Sequence, residues 1–324
     1  MELSVDPLST TIIFTGIDCL ISESKHGMVS LMPFQLRTIT ASFGVDVFVM
    51  FIYNNSKHMI NYLSKENKAL FSELVRTDFK LRYQGSILGY TWSLLRPLLL
   101  FVILYIVFVY FLHIGNDIPH YPVYLLLGIV MWNFFVEMTM QSLGSIVGRG
   151  DLIRKIRIPR WMVVFSSSIS ATINLLLSLV VVFVFMVVNQ VPLTLGILML
   201  PVYLVMIYVF ALGLSLFLSA AYVKFRDVSY IWEVVLQAGF YATPIIYPLQ
   251  LVNNELVEKI LLMNPVAQAI QGSRYNLITH DALTTYGMWG GSWYVIIPSV
   301  FVGIVFLCGL LYFKSQANYF AENI

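Results

Sequence analysis

The chain has 324 residues, 59% of them apolar and only 11% Asp, Glu, Lys or Arg, with a net charge of +2 and a mean hydropathy of +0.81. A soluble domain carries roughly 25% charged residues, so this chain cannot cover a water-facing surface; an ordinary soluble enzyme and a disordered tail protein are both excluded. The small net charge leaves no electrostatic footprint for nucleic acid, and the composition reads as an all-α integral membrane protein with several spans.

The first 58 residues differ in character from the rest of the chain. Apolar stretches at Thr11–Ile21 and Phe43–Tyr53 are too short to span, and each carries an aspartate, Asp18 and Asp46. Glu2 and Asp6 stand where a secretory signal would be basic. The stretch reads as an over-extended reading frame ahead of a start near Met59, with a loosely held cytoplasmic extension or an extra span as alternatives. Residues 59–87 form a cytoplasmic segment. Within it, Lys68 to Tyr83 has helical period: Leu70, Phe71, Leu74, Val75 and Phe79 share one face, and Lys68, Glu73, Arg76, Lys80 and Arg82 fill the rest. A basic amphipathic helix just before a span predicts an interfacial helix with its cations toward anionic headgroups.

Residues 88–313 predict six spans. The first is the charge-free stretch Pro97–Asn116, entered through Leu88–Arg96; the second runs from Tyr121 to Met140 and is interrupted by Glu137. From Trp161 to Val223 lie 63 residues without one Asp, Glu, Lys or Arg, enough for two spans that break at Asn189–Pro192. The fifth covers Ser229–Tyr247 and contains Glu233; the sixth is Trp293–Phe313, leaving residues 314–324 as a tail. With six spans both ends share a side. Seventeen of the nineteen Lys and Arg then lie there, with Lys259 and Arg274 opposite. The positive-inside rule makes that side cytoplasmic.

The loop between spans two and three, Gly148–Arg160, holds five basic residues interleaved with Leu152, Ile153, Ile156 and Ile158. Charge alone would serve topology, but the apolar pattern predicts a short helix that docks a partner, with Asp151, Leu152, Arg154, Lys155 and Arg157 as its contacts. Opposite, Pro248–Ser292 is the longest loop and predicts short amphipathic pieces at or dipping into the interface. Glu137 and Glu233 are intramembrane charges, costly in lipid; pairing with Arg96 or Lys224 and contact with a substrate are both open uses. Arg96 can snorkel to headgroups or meet a lipid-linked pyrophosphate.

No phosphate loop of the G-x-x-x-x-G-K-[ST] type occurs, and Gly144-x-x-x-Gly148-Arg149-Gly150 lacks its spacing. No zinc-protease helix, nucleophile elbow or histidine cluster appears, and Cys19 and Cys308 are too few for a metal site. These patterns predict no catalysis, metal or cofactor in this chain.

The run Thr77-Asp-Phe-Lys-Leu-Arg-Tyr-Gln-Gly-Ser-Ile-Leu-Gly-Tyr-Thr-Trp-Ser-Leu-Leu-Arg-Pro97 resembles the segment before the first span of ABC-2 type permeases that export cell-surface polysaccharide. Asn264-Pro265 with Arg274, and Tyr319-Phe-Ala-Glu322, are weaker likenesses. The resemblance runs from about Met59 to Ile324. It implies the ABC-2 exporter architecture: a homodimer carrying two copies of a separate ABC ATPase that holds ATP and Mg. The loop 151–160 would be the coupling helix, and the pieces after span five would gate the mouth. The cargo implied is a lipid-linked polysaccharide such as O-antigen, capsule, teichoic acid or a rhamnose-rich polymer.

For such a cargo, Tyr121, Tyr124, Trp132 and Phe135 share one face of span two and read as a channel wall, with Glu137 below them. Phe101, Tyr105, Phe108 and Phe111 recur at spacings of three and four in span one. For any one of these aromatics core packing is the stronger explanation, and the channel wall is the reading of the span-two stripe as a set. Arg82, Arg96, Glu233 and Arg274 are the interfacial or gate candidates. The alternatives are an integral-membrane enzyme acting on lipid-linked sugars and an ABC-2 exporter of drugs or lipids.

Overall fold

The computed structural model describes residues 65–83, 89, 91–113, 118–155, 159–192, 194–252, 254–290 and 296–320. The extension 1–58, Arg157 and the terminal residues 321–324 lie outside them. Among the described residues every regular element is helical.

Helix α1 (Lys65–Tyr83) precedes α2 (Thr91–Tyr105), whose last turns widen into a π-helix, Ile106–Phe111. Pro97 lies inside α2. Next come α3 (Tyr121–Ser145), the short α4 (Gly150–Lys155) and α5 (Trp161–Val188). The predicted break at Asn189–Pro192 is present, with Gln190 in the left-handed region at φ 54°. A 3₁₀ turn, Leu195–Met199, leads into α6 (Leu200–Lys224). Beyond it lie α7 (Val228–Ala242), α8 (Glu255–Leu262), α9 (Pro265–Leu277), α10 (Thr285–Trp289) and α11 (Ile297–Gln316).

Among the described residues, five helical stretches are long and apolar enough to cross a membrane: Thr91–Phe111, Tyr121–Ser145, Trp161–Val188, Leu195–Lys224 and Ile297–Gln316. The predicted fifth span differs. The apolar run extends to Tyr247, but α7 has only 15 residues and at 1.5 Å per residue reaches about 22 Å. Pro244 is the cause. The residue before a proline is driven out of the helical region, and Thr243 is extended with ψ 136°.

α3 is the centre of the bundle. Apolar all round, it is enclosed by α5, α6, α2, α9 and α7. Its seam with α5 is lined from the α5 side by Ser166, Ser170, Asn174 and Ser178 at every fourth position, all buried; small polar residues let helices approach closely in a bilayer. α6 and α11 meet at Gly213 and Gly309, where a Cβ on Gly309 would collide with the Gly213 carbonyl.

Helix α9 departs furthest from a surface position. Asn264 caps it by accepting from the Val266 amide at 3.0 Å, and Pro265 fills the first turn. From there α9 dips into the protein, packed on α6, α3 and α11, with Pro265 to Arg274 all buried. Its neighbour α8 keeps the interfacial character expected, with Leu256, Val257 and Ile260 exposed.

Candidate functional site

Two regions stand out: a joint at the basic end of the bundle and an exposed polar stripe along α7. At the joint, α4 presents Asp151, Arg154 and Lys155 to solvent, while Leu152 and Ile153 are half-buried on the other side. That is the two-faced short helix the alternating pattern predicts. Arg149, one residue ahead of α4, pairs with the Asp78 carboxylate of α1, both side chains being under a fifth exposed. Its Nη1 also donates to Ser166 Oγ of α5 at 2.9 Å, and that hydroxyl lies 3.0 Å from Asp78 Oδ2. Burial lowers the Arg149 pKa from its ordinary value, yet a guanidinium stays charged in proteins, so the carboxylate beside it offsets the desolvation. One residue from each of three elements meets here. Arg82 belongs to the last turns of α1, and Arg96 is exposed on α2.

Glu137 lies in the α3–α5 seam, where it accepts from Asn174 Nδ2 at 2.5 Å and Gln141 Nε2 at 2.9 Å. Two amide donors satisfy the carboxylate inside the bundle.

The stripe expected to form a channel wall is the packing centre of the protomer. Tyr121 and Tyr124 are 3% and 1% exposed. The Tyr121 hydroxyl donates to the Ile246 carbonyl at 2.6 Å, and Tyr124 carries the Arg274 guanidinium 3.6 Å above its ring. Trp132 packs on Gly239 and Phe240, and Phe135 stacks on Phe210 with centroids 5.7 Å apart. Because α3 is surrounded on all sides, its ring faces are occupied by neighbouring side chains. In α2, Phe101 is buried against Phe185, while Tyr105 and Phe108 are half-buried. Tyr105 and Tyr121 border a groove of about 320 Å³ with Val109, Ile118, His120, Pro122 and Asn189.

Exposed polar groups within the apolar belt concentrate on α7. Its packed side is Trp232, Leu236, Gly239 and Phe240, and a second side exposes Ile231, Val234 and Val235. A third side carries Tyr230, Glu233, Gln237 and Tyr241, all exposed. Their spacings of three, four and four place them within an arc of about 80°. A charged side chain facing lipid is costly, so a stripe holding Glu233 and Gln237 belongs against water, a polar ligand or another subunit. Of this stripe, the sequence singles out only Glu233, by its charge. The 3,4,4 spacing is the signal that links the other three to it.

The far end of α7 is fastened from within. Arg274 of α9 donates from all three nitrogens: Nε to the Tyr124 carbonyl at 3.0 Å, Nη1 to Pro244 at 2.6 Å and Nη2 to Ile245 at 2.7 Å. The gate candidate Arg274 is therefore fully buried instead of interfacial.

The family model described as ABC-2 type transporter matches residues 69–278. The chain belongs to the ABC-2 type transporter family. Asp78, Arg149, α4, α7 and Arg274 all fall inside the matched ABC-2 region. An O-antigen export system permease protein RfbA of Myxococcus xanthus is 28% identical over 259 residues, covering 79% of this chain and 96% of that protein. Two permeases of the same name from Klebsiella pneumoniae are similar at 29% over 198 residues and 27% over 250 residues. They cover 61% and 77% of this chain, and 75% and 92% of their own lengths. As an ABC-2 type transporter with this helix content, the chain is a multi-pass membrane protein and a transport component.

Proposed function

We propose that this chain is the permease of an ATP-driven exporter that moves a lipid-linked cell-surface polysaccharide outward across the plasma membrane, with both chain ends cytoplasmic because α7 and the unwound stretch after it together complete a sixth crossing. The exposed polar and aromatic stripe of α7 carries the reading. A hydrated sugar chain must cross without losing its hydrogen bonds, since an unpartnered buried hydroxyl costs on the order of several kcal/mol. Tyr230, Glu233, Gln237 and Tyr241 offer hydroxyl, carboxylate and amide groups beside aromatic faces that suit sugar C–H surfaces. A second copy of the chain, applied to the first through this exposed flank, completes the path. The relatives named as O-antigen export permeases support a polysaccharide cargo.

Energy enters at the other end. Two copies of a separate ABC ATPase, which hold the ATP and Mg, press on the loop 151–160 through Asp151, Leu152, Arg154 and Lys155 of α4 and through Arg157. The Arg149–Asp78–Ser166 joint ties that push to α1 and α5. The polar seam passes it from α5 to α3, and α3 is bound to the end of α7 through Arg274. The chain performs no bond chemistry; its residues hold a path and change its width.

The test is the triple replacement Arg154→Glu, Lys155→Glu and Arg157→Glu in cells making the polymer. The expected result is native membrane content, lost co-purification with the ATPase, lost surface polysaccharide and internal accumulation of the lipid-linked chain. Surface polysaccharide at the native level would overturn the proposal.

A further inference from the structure

Arg274 is a cation buried in an apolar bundle, and among the described residues no carboxylate pairs with it. Its partners are three backbone carbonyls and the Tyr124 ring. One carbonyl belongs to α3, and two belong to the unwound stretch immediately after α7. That stretch is a liability in a membrane, because backbone groups released from a helix find no water there. Pro244 ends α7 and strands the carbonyls behind it. Arg274 takes up those of residues 244 and 245, and the Tyr121 hydroxyl takes up that of Ile246. Asn264, which caps α9, donates to Thr243 Oγ1 at 3.2 Å at the same break.

Space for the guanidinium comes from α3. A Cβ on Gly128 would strike Nη2 of Arg274 and would sit 3.4 Å from the Ile245 carbonyl. Glycine is otherwise a poor choice in the middle of a 25-residue helix. Three polar atoms of α9, Gln268 Oε1, Gln271 Nε2 and Ser273 Oγ, are buried without a hydrogen-bond partner in the protein. Each would gain from water. Apolar packing of Val266, Ala269 and Ile270 and the hydrogen bond from Asn276 to Tyr203 also hold α9, and Arg274 is the side chain that ties it to both α3 and the stretch after α7.

We infer that Arg274 is a positioning residue for transport: through it α9 clamps the unwound end of α7 to α3, and Gly128 is the notch that admits it. The inference rests on the reading of α7 as the path wall, because the clamp sets where Gln237 and Tyr241 stand. A planar guanidinium reaches acceptors on two elements at once, whereas a lysine ammonium, a compact point charge, does not. Retaining the charge is therefore not sufficient.

The experiment uses the full chain with Cys19→Ser and Cys308→Ser, carrying Ser273→Cys, a position with 0% exposure. Intact cells are treated with a membrane-impermeant maleimide, and surface polysaccharide is measured in parallel on the same variants with Ser273 retained. With Arg274 and Gly128 both native, Cys-bearing α9 labels slowly. Arg274→Lys, Arg274→Leu and Gly128→Ala each raise labelling by about tenfold, the population shift that one charge-assisted hydrogen bond supports. Gly128→Ala added to Arg274→Leu changes labelling less than about twofold, since the clash it causes needs the guanidinium. Export falls with Arg274→Lys as it does with Arg274→Leu. Should the Arg274 variants fail to insert, Gly128→Ala alone decides, because it retains the arginine.

Equal labelling across the variants, or multiplied effects in the double variant, would overturn the clamp. The labelling does not depend on cargo: if substitutions on the α7 stripe leave export unchanged, the path reading fails while this result still stands or falls by itself.

Discussion

α3 and α7 are neighbours in space, and both carry aromatic residues among polar ones, yet they do opposite things with them. The most apolar window of α3 is 78% buried; α7 buries a single residue, Leu236. Tyrosine and tryptophan in α3 are fixed by ring stacking and by hydrogen bonds, and Trp232 Nε1 of α7 reaches across to Thr139 Oγ1 of α3 at 3.1 Å. The tyrosines of α7, Tyr230 and Tyr241, are 72% and 71% exposed. Aromatic content therefore does not mark a transport surface. In the path proposed here, what marks it is polarity left exposed within the apolar belt.

That comparison breaks most readily through stability. Trp132→Ala removes a ring packed between Phe135, Phe240 and Gly239, and truncating a buried tryptophan costs about 3–5 kcal/mol. Thermal unfolding in detergent is expected to shift well downward, with membrane content falling alongside export. Native thermal stability would show that α3 is not the packing centre.

The joint at the basic end comes next. Asp78→Asn leaves Arg149 short of its carboxylate in a site under one-fifth exposed, a loss of about 1–3 kcal/mol. Exchanging the two charges, Asp78→Arg with Arg149→Asp, is expected to recover part of that loss. A double-mutant cycle on thermal stability measures it, and strict additivity would remove the joint from the account. Smallest of all is the expected stability effect of Tyr230→Ala, within about 0.5 kcal/mol for an exposed position.

Much of the architecture is legible in the amino-acid order. Charge-poor stretches locate five of the helices, since lipid leaves the backbone no other way to satisfy itself, and the interleaved charges of Gly148–Arg160 announce α4. Pro244 already signals where α7 stops, although the apolar run through Tyr247 suggests a full span. The joint is hidden because its members are far apart in sequence: Ser166 lies 88 residues from Asp78. Arg274 is misplaced for a different reason. A lone arginine in a polar loop looks interfacial until its three acceptors are known, and two of those exist only because α7 unwinds. The α3 stripe misleads because helical periodicity identifies a face without saying what lies against it.

The central claim, that the α7 stripe is the wall along which a polar polymer passes, is tested most directly by surface polysaccharide from cells carrying Glu233→Leu, Gln237→Leu and Tyr241→Leu together. The account predicts a protein inserted and thermally stable at the native level, with export reduced to a small fraction. Undiminished export from that apolar α7 would contradict it.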